Sequence, residues 1–323
     1  MERVDKYVRF DWAIKRLLRQ KANFDVLEGF LTVFLGEKIT IVEILESEGN
    51  QLAKDDKFNR VDIKAKNDKG EIIIIEVQNT RELYFMERIL YGTAKAITEH
   101  ISLGKRYEEV KKIYSISILY FDIGSGTDYL YHGQNQFVGV HTHDLLEVTT
   151  KEKEALVRKL PSEIFPEYFL IRVNEFNKVA VTPLEEWMLY LKTGFISEQT
   201  TAPGLQEARQ KLIYYSMSVA EQQAYDEHLN NVMIENGMLD SAKLEGREEG
   251  RAEGRAEGLA TLRLTLQDLL ADRFGEPAAT TAENMEDITA LDDMRRLAAS
   301  VYRVPSLEAF LELLEEIRSR NVQ

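Results

Sequence analysis

Asp62 and the run Glu76-Val77-Gln78 stand at the open ends of two strand-like segments joined by Asn67-Asp68-Lys69-Gly70. Side chains alternate in a strand, so Glu76 and Gln78 share a face with Ile72 and Ile74, while Ile73, Ile75 and Val77 point the other way. The polar turn predicts a three-residue hairpin loop whose glycine adopts the left-handed conformation. That loop pairs Asn67 with Glu71, and counting outward puts Asp62 opposite Glu76 and Arg60 opposite Gln78. Val61, Ile63 and Ala65 then meet Val77, Ile75 and Ile73, whereas a two-residue loop would set Asp62 across from Ile75 and mix apolar with charged. Directly opposed carboxylates, with Cβ atoms about 5 Å apart, repel unless a cation compensates them. Converging oxygen ligands suit Mg2+, a hard ion that polarises phosphoryl oxygens, and the chemistry would be phosphodiester hydrolysis. The alternative is that one carboxylate is solvated, or bridged to Lys64 or Arg60.

The elements around this pair follow from hydrophobic spacing. Phe10, Ile14, Leu17 and Leu18, then Phe24, Leu27, Phe30, Leu31 and Phe34, predict two helices between Tyr7 and Gly36. Strands are expected over 39–47, 57–66, 71–79 and 112–122, then around 129–131, 137–140 and 168–173. Between 82 and 103 the stripe Met86, Ile89, Leu90, Ala94, Ile97 and Ile101 predicts an amphipathic helix closed by Gly104. This order sets helices against a mixed α/β sheet. After about residue 181 the pattern is helical, with segments over 183–191, 206–217, 220–236 and 259–274 and two more within 292–318. Gly246, Gly250, Gly254 and Gly258 recur every fourth residue, flanked by columns of Arg247, Arg251, Arg255 and Glu249, Glu253, Glu257. The repeat is either a helix whose smooth face and charged columns match a second copy, or a spacer. The expected organisation is 1–180 as the catalytic domain, 181–241 as a helical extension, 242–258 as the repeat helix or linker, and 259–323 as a small helical module.

Composition narrows the class. The chain contains no cysteine and five histidines, so thiol chemistry and Cys-ligated zinc are excluded. His141-Thr142-His143-Asp144 has the look of a ligand cluster, but no third ligand falls at metal spacing, and an edge role is the expectation. Gly124-Ser125-Gly126 lacks the lysine of a phosphate loop and reads as a hairpin turn. The formal net charge is −14, yet residues 1–180 carry 27 Lys and Arg against 29 Asp and Glu, so the acidity belongs to the remainder. A general nucleic-acid coat is disfavoured and a local contact is not. No long apolar run or apolar leader segment is read, which predicts a cytoplasmic protein with no membrane partner.

Asp62 and, fourteen residues on, Glu76-Val77-Gln78 resemble the Asp…Glu-x-Lys core of the PD-(D/E)XK nuclease superfamily, in a variant with glutamine for lysine. Asp11-Trp-Ala-Ile-Lys-Arg-Leu-Leu18 resembles the Asp-x-x-Phe-Lys-x-Leu-Phe opening of the recombination-promoting nuclease (Rpn) family of transposases, and Arg88-Ile-Leu-Tyr91 its Arg-x-x-Tyr element. Val61 stands where the superfamily has proline, and Ile14 where the family has phenylalanine. The resemblance implies a restriction-endonuclease-like fold and a metal-dependent DNA endonuclease linked to recombination or mobile elements. It makes Asp62 and Glu76 the ligands of Mg2+, with Mn2+ as a substitute, and gives Gln78 the task of positioning water. Asp11 and Lys15, by spacing an ordinary i, i+4 surface pair, become under the resemblance a helper of the metal site and a phosphate contact. Arg88, Tyr91 and Lys95 lie on one side of the long helix, as a solvated face or as charge and a stacking ring for DNA. The rival reading is a catalytically decayed nuclease fold acting as a nucleic-acid-binding, regulatory or scaffold protein. In either case self-association, as a dimer through the C-terminal helices, is the expected assembly.

Overall fold

A computed structural model describes residues 7–45, 61–100, 107, 110–152, 155–283 and 285–321. The chain forms two compact units, Met1–Met233 and Ile234–Gln323. The first opens with α1 (Phe10–Arg16) and α2 (Phe24–Leu35), the latter closed by Gly36 in the left-handed conformation. The strands β1 (Ile41–Leu45), β2 (Ile63–Asn67) and β3 (Ile72–Gln78) follow, then α3 (Phe85–Glu99) and β4 (Ile113–Leu119). Next come β5 (Leu130–Gly133), β6 (Val148–Glu152), β7 (Ala155–Lys159), β8 (Glu167–Arg172), and the helices α4 (Pro183–Thr193) and α5 (Leu205–Lys211).

Six strands make one mixed sheet in the order β1-β2-β3-β4-β8-β5. β1, β2 and β3 form an antiparallel meander, α3 carries the chain across to β4 parallel to β3, and β8 lies parallel to β4. β3, β4 and β8 therefore end at the same edge, where open α/β sheets place their ligand sites. One face of the sheet, with Ile63, Ala65, Ile73, Ile75, Val77, Ile116 and Ile118, belongs to the large core that also contains Phe10, Ile14, Leu27, Phe30, Trp187 and Tyr190. On the other face Ile72, Ile74 and Ile113 pack with Ala96 of α3, and Phe85 and Ile89 of α3 pack with Leu119 and Phe121. Both faces being covered explains why β3 is four isoleucines long before its first charge. Two glycines bring α2 against the start of α5: a Cβ on Gly29 would stand 2.3 Å from the Gly204 Cα.

Several expectations change. Val61 packs with Ile72, Ile74 and Ala96, not with Val77, because the β2–β3 pairing ends at Ile63 and the chain beyond it leaves the alternation. The segment 124–126 is no hairpin turn, since β5 pairs with β8 and not with β4. The 137–140 run contributes only an isolated bridge, Val138 to Leu145, and its apolar side chains stay exposed. A β6–β7 hairpin absent from the sequence reading forms a sheet of its own. The expected closure at Gly104 and the start of the strand at 57–60 lie outside the described residues.

The helices expected over 220–236 and 259–274 are parts of one helix, α6 (Val219–Phe274), which runs unbroken through the glycine repeat. Nothing stands within 4 Å of where a Cβ would sit on Gly246, Gly250 or Gly254. In the second unit Leu259, Leu266 and Leu270 of α6 join a core with Met294 and Leu297 of α8 (Leu291–Ser300) and Phe310, Leu314 and Ile317 of α9 (Leu307–Asn321). The short α7 (Glu276–Glu283) adds Ala278. Among the described residues no helix is long and apolar enough to cross a membrane.

Candidate active site

The turn that sets the register is built as its residue types require. Asn67 donates its N–H to the Glu71 carbonyl at 3.1 Å and accepts from Gly70 N–H at 3.0 Å, and Gly70 has φ +79°. Asn67 Oδ1 accepts from Glu71 N–H at 2.8 Å, a side-chain clamp on the same loop. The ladder then pairs Ile63 with Ile75 and Ala65 with Ile73, the register predicted from the alternation. Asp62 stands one step past the last pair, where a backbone carbonyl would otherwise continue the ladder. Its Oδ2 accepts the Val77 N–H at 2.7 Å, so the carboxylate ends the pairing and stays at the sheet edge.

Glu76 is buried, with 6% of its surface exposed, and faces Ser117 in the parallel register with β4. Burying an unpaired carboxylate costs several kcal/mol (about 3 to 5 when a partner is removed). Arg88, projecting from α3, meets that cost by pairing with Glu76 Oε1, and its other nitrogen pairs with Glu82. Burial pushes the Arg88 guanidinium down from its usual range, and the charge of Asp62 partly offsets this. Lys15 Nζ lies 3.7 Å from Asp62 Oδ1. The bridge to Lys64 does not form: Lys64 pairs with Glu99 at 2.7 Å, on the same sheet face but deeper along α3. Arg60, the other bridge considered and the expected neighbour of Gln78, lies outside the described residues.

Lys15, Arg19, Asp62, Glu76, Gln78 and Arg88, with Val61 and Val77, line a pocket of about 380 Å³. Gln78 keeps its amide at the mouth, with Nε2 3.4 Å from Thr80 Oγ1. Tyr91, one turn beyond Arg88, is not among the lining residues. The pocket thus holds two carboxylates, one neutral amide and three cations. Mg2+ typically takes one or two carboxylates and fills its remaining positions with water and phosphate oxygens, and this donor set fits that habit. The Ser117 hydroxyl, on the β4 residue paired with Glu76, is buried without a hydrogen-bond partner. Among the described residues no group of three or more His, Asp or Glu side chains converges as a closed metal cage, and 141–144 is a loop turn with His143 at φ 59°.

Asp11 does not pair with Lys15. It is fully buried and receives four donors: Arg9 Nε at 3.1 Å, Trp12 N–H at 3.0 Å, His228 Nε2 at 3.0 Å and Asn79 Nδ2 at 3.3 Å. Burial pushes its carboxyl upward, but the His228 hydrogen bond and the Arg9 charge outweigh that and hold it below the usual range. Through Asn79, which follows Gln78, this cluster fixes the end of β3 to α1 and to the head of α6. The sequence reading did not single out His228, Arg9, Asn79, Arg19 or Glu82. Asn79 alone carried a signal, its adjacency to the motif; His228 lies 217 positions from Asp11 in a run with no distinguishing spacing.

No curated protein and no solved structure matches the chain. A family model described as PD-(D/E)XK nuclease family transposase matches residues 8–242, which include every residue of the pocket.

Proposed function

The chain belongs to the PD-(D/E)XK nuclease family transposases, and from that premise we propose that it is an endonuclease that hydrolyses DNA phosphodiester bonds with Mg2+, Mn2+ substituting. The observation that carries the reading is the meeting of Asp62 and Glu76 at the open end of β3, with Gln78 beside them and a cationic rim around them. A divalent cation bound there would polarise a phosphoryl oxygen and acidify water. Asp62 and Glu76 are its ligands. Gln78 has both a donor and an acceptor, so it can orient a water for in-line attack, although it cannot supply the positive charge of a lysine. Lys15 on α1 and Arg19 in the turn that follows it supply that charge, where they can offset a phosphate entering the pocket. Asp11 acts at one remove, by holding the strand end in register through Asn79. The biological role that goes with this chemistry is strand breakage in recombination or movement of genetic elements.

A second reading, a nuclease fold that binds DNA without cutting it, is favoured by the ion pair that Arg88 holds with Glu76. The two readings part in one assay. Supercoiled plasmid incubated with the full-length protein should be nicked in Mg2+ or Mn2+ and spared in EDTA. Retarded migration with no nicking under any metal would favour the second reading and end the first.

A further inference from the structure

We propose that Arg88 is an internal counter-ion that competes with the metal for Glu76, and that Glu82 is the seat that keeps Arg88 in place when Glu76 is given up. The inference rests on the metal reading of the site and adds to it a positioning role for Glu82. Its basis is the forked contact of a single guanidinium, with one nitrogen on buried Glu76 and another on Glu82, whose side chain is 37% exposed. A buried carboxylate left unpaired is costly, so Glu76 keeps a positive partner in both states, Arg88 without metal and the cation with it. Arg88 is built to be that partner and to leave. It sits on α3, not on the sheet, with its head at the pocket wall and 28% of its side chain exposed. Arg88 and a cation cannot both claim the same Oε1 of Glu76 at full strength. Released from Glu76, Arg88 remains tethered to Glu82 at the mouth, where its free nitrogens face an incoming phosphate. A planar fork is suited to that hand-over from carboxylate to phosphate in a way that a lysine is not. Glu82 stands three residues before the helix and outside the pocket lining, so its contribution passes through Arg88 alone.

The experiment is Mn2+ titration by calorimetry on the full chain without DNA, comparing wild type with Arg88→Gln, Glu82→Gln, the double variant and Asp62→Asn. Arg88→Gln should bind Mn2+ on the order of tenfold more tightly, because the ion pair that Arg88 makes with Glu76 no longer has to be given up. Glu82→Gln should bind several-fold more weakly, because Arg88 then has Glu76 as its only carboxylate. In the Arg88→Gln background the Glu82→Gln change should have no effect, which separates action through Arg88 from general loss of negative charge. Arg88→Lys, which keeps the charge but cannot span both carboxylates, should lie between wild type and Arg88→Gln, and it serves if Arg88→Gln does not fold. Mn2+ binding that depends on Asp62 but is equal or weaker in both Arg88 variants would overturn the counter-ion role while leaving the metal reading standing. No Asp62-dependent binding in any variant would overturn both.

Discussion

Asp11→Asn removes a charge while keeping the shape of a buried side chain, and the cost follows from what it leaves behind. Arg9 and His228 lose the carboxylate they share, and an amide must present an NH2 to a site where every neighbour is a donor. Breaking a buried pair from one side costs about 3 to 5 kcal/mol. Arg9 is 27% and His228 22% exposed, so water recovers part of their loss and the lower end, about 3 kcal/mol, applies. Both tryptophans, Trp12 and Trp187, are buried in the first unit, so their fluorescence reports unfolding of that unit without interference from the other. In urea, with a slope of about 2 to 3 kcal/mol/M, the midpoint should fall by about 1 to 1.5 M. The pH dependence has a definite sign. Because the folded Asp11 carboxyl lies below its unfolded value, its stabilisation is complete above the ordinary carboxylate range near pH 4 and is lost as pH falls through the lower folded value. The gap between wild type and Asp11→Asn should therefore be full at pH 7 and shrink below about pH 4. A loss under about 1 kcal/mol at pH 7, or a gap that widens in acid, would refute the anchoring role assigned to Asp11.

Gly29→Ala should destabilise the first unit by about 3 kcal/mol or more, since its Cβ meets backbone atoms that cannot swing aside; the same urea titration measures it, and a change under about 1 kcal/mol would mean that α2 and α5 are less closely apposed. Lys15→Gln should weaken DNA binding and lower the slope of log affinity against log salt by about 0.9, the signature of one phosphate contact, and an unchanged slope would assign Lys15 to Asp62 alone. Joint replacement of Gly246, Gly250 and Gly254 by alanine should raise the helicity and melting temperature of α6, at about 0.8 to 1 kcal/mol per site, because open space surrounds each. Light scattering on the same variant tests the expected self-association: assembly lost on adding the methyl groups would place the contact on the glycine face, and assembly unchanged would remove that face from it.

The candidate site was legible where local grammar and alternation acted together. Asn67-Asp68-Lys69-Gly70 admits few turns, and the flanking isoleucines penalise every register but one, so the placement of Asp62 near Glu76 followed from about twenty residues. What lay beyond the ladder was less legible. Val61 changed faces because pairing stops at Ile63, and no alternation rule says where a strand ends. The partners of the carboxylates were hidden for a different reason. Arg88 sits on α3, whose rotation about its axis decides which acid it reaches, and Lys64 is taken up by Glu99 of the same helix. His228 answers Asp11 only because the chain returns α6 to α1, a tertiary fact without local trace. The glycine repeat persuades the eye of a break, since four glycines cost about 3 to 4 kcal/mol of helix propensity, yet helix flanks it on both sides and carries it through. The β6–β7 hairpin, Val148–Glu152 with Ala155–Lys159, is polar and short, and its exposed surface gave no apolar alternation to read.

The central claim is that Asp62 and Glu76 form one metal-dependent hydrolytic centre. It is tested most directly by single-turnover cleavage of labelled duplex DNA in Mg2+, comparing wild type with Asp62→Ala and with Glu76→Gln under conditions where all three bind the duplex. Loss of either carboxylate should slow cleavage by more than about a hundredfold, the several kcal/mol that a cation at the phosphoryl group supplies. Cleavage that persists at the wild-type rate in Asp62→Ala would contradict the account.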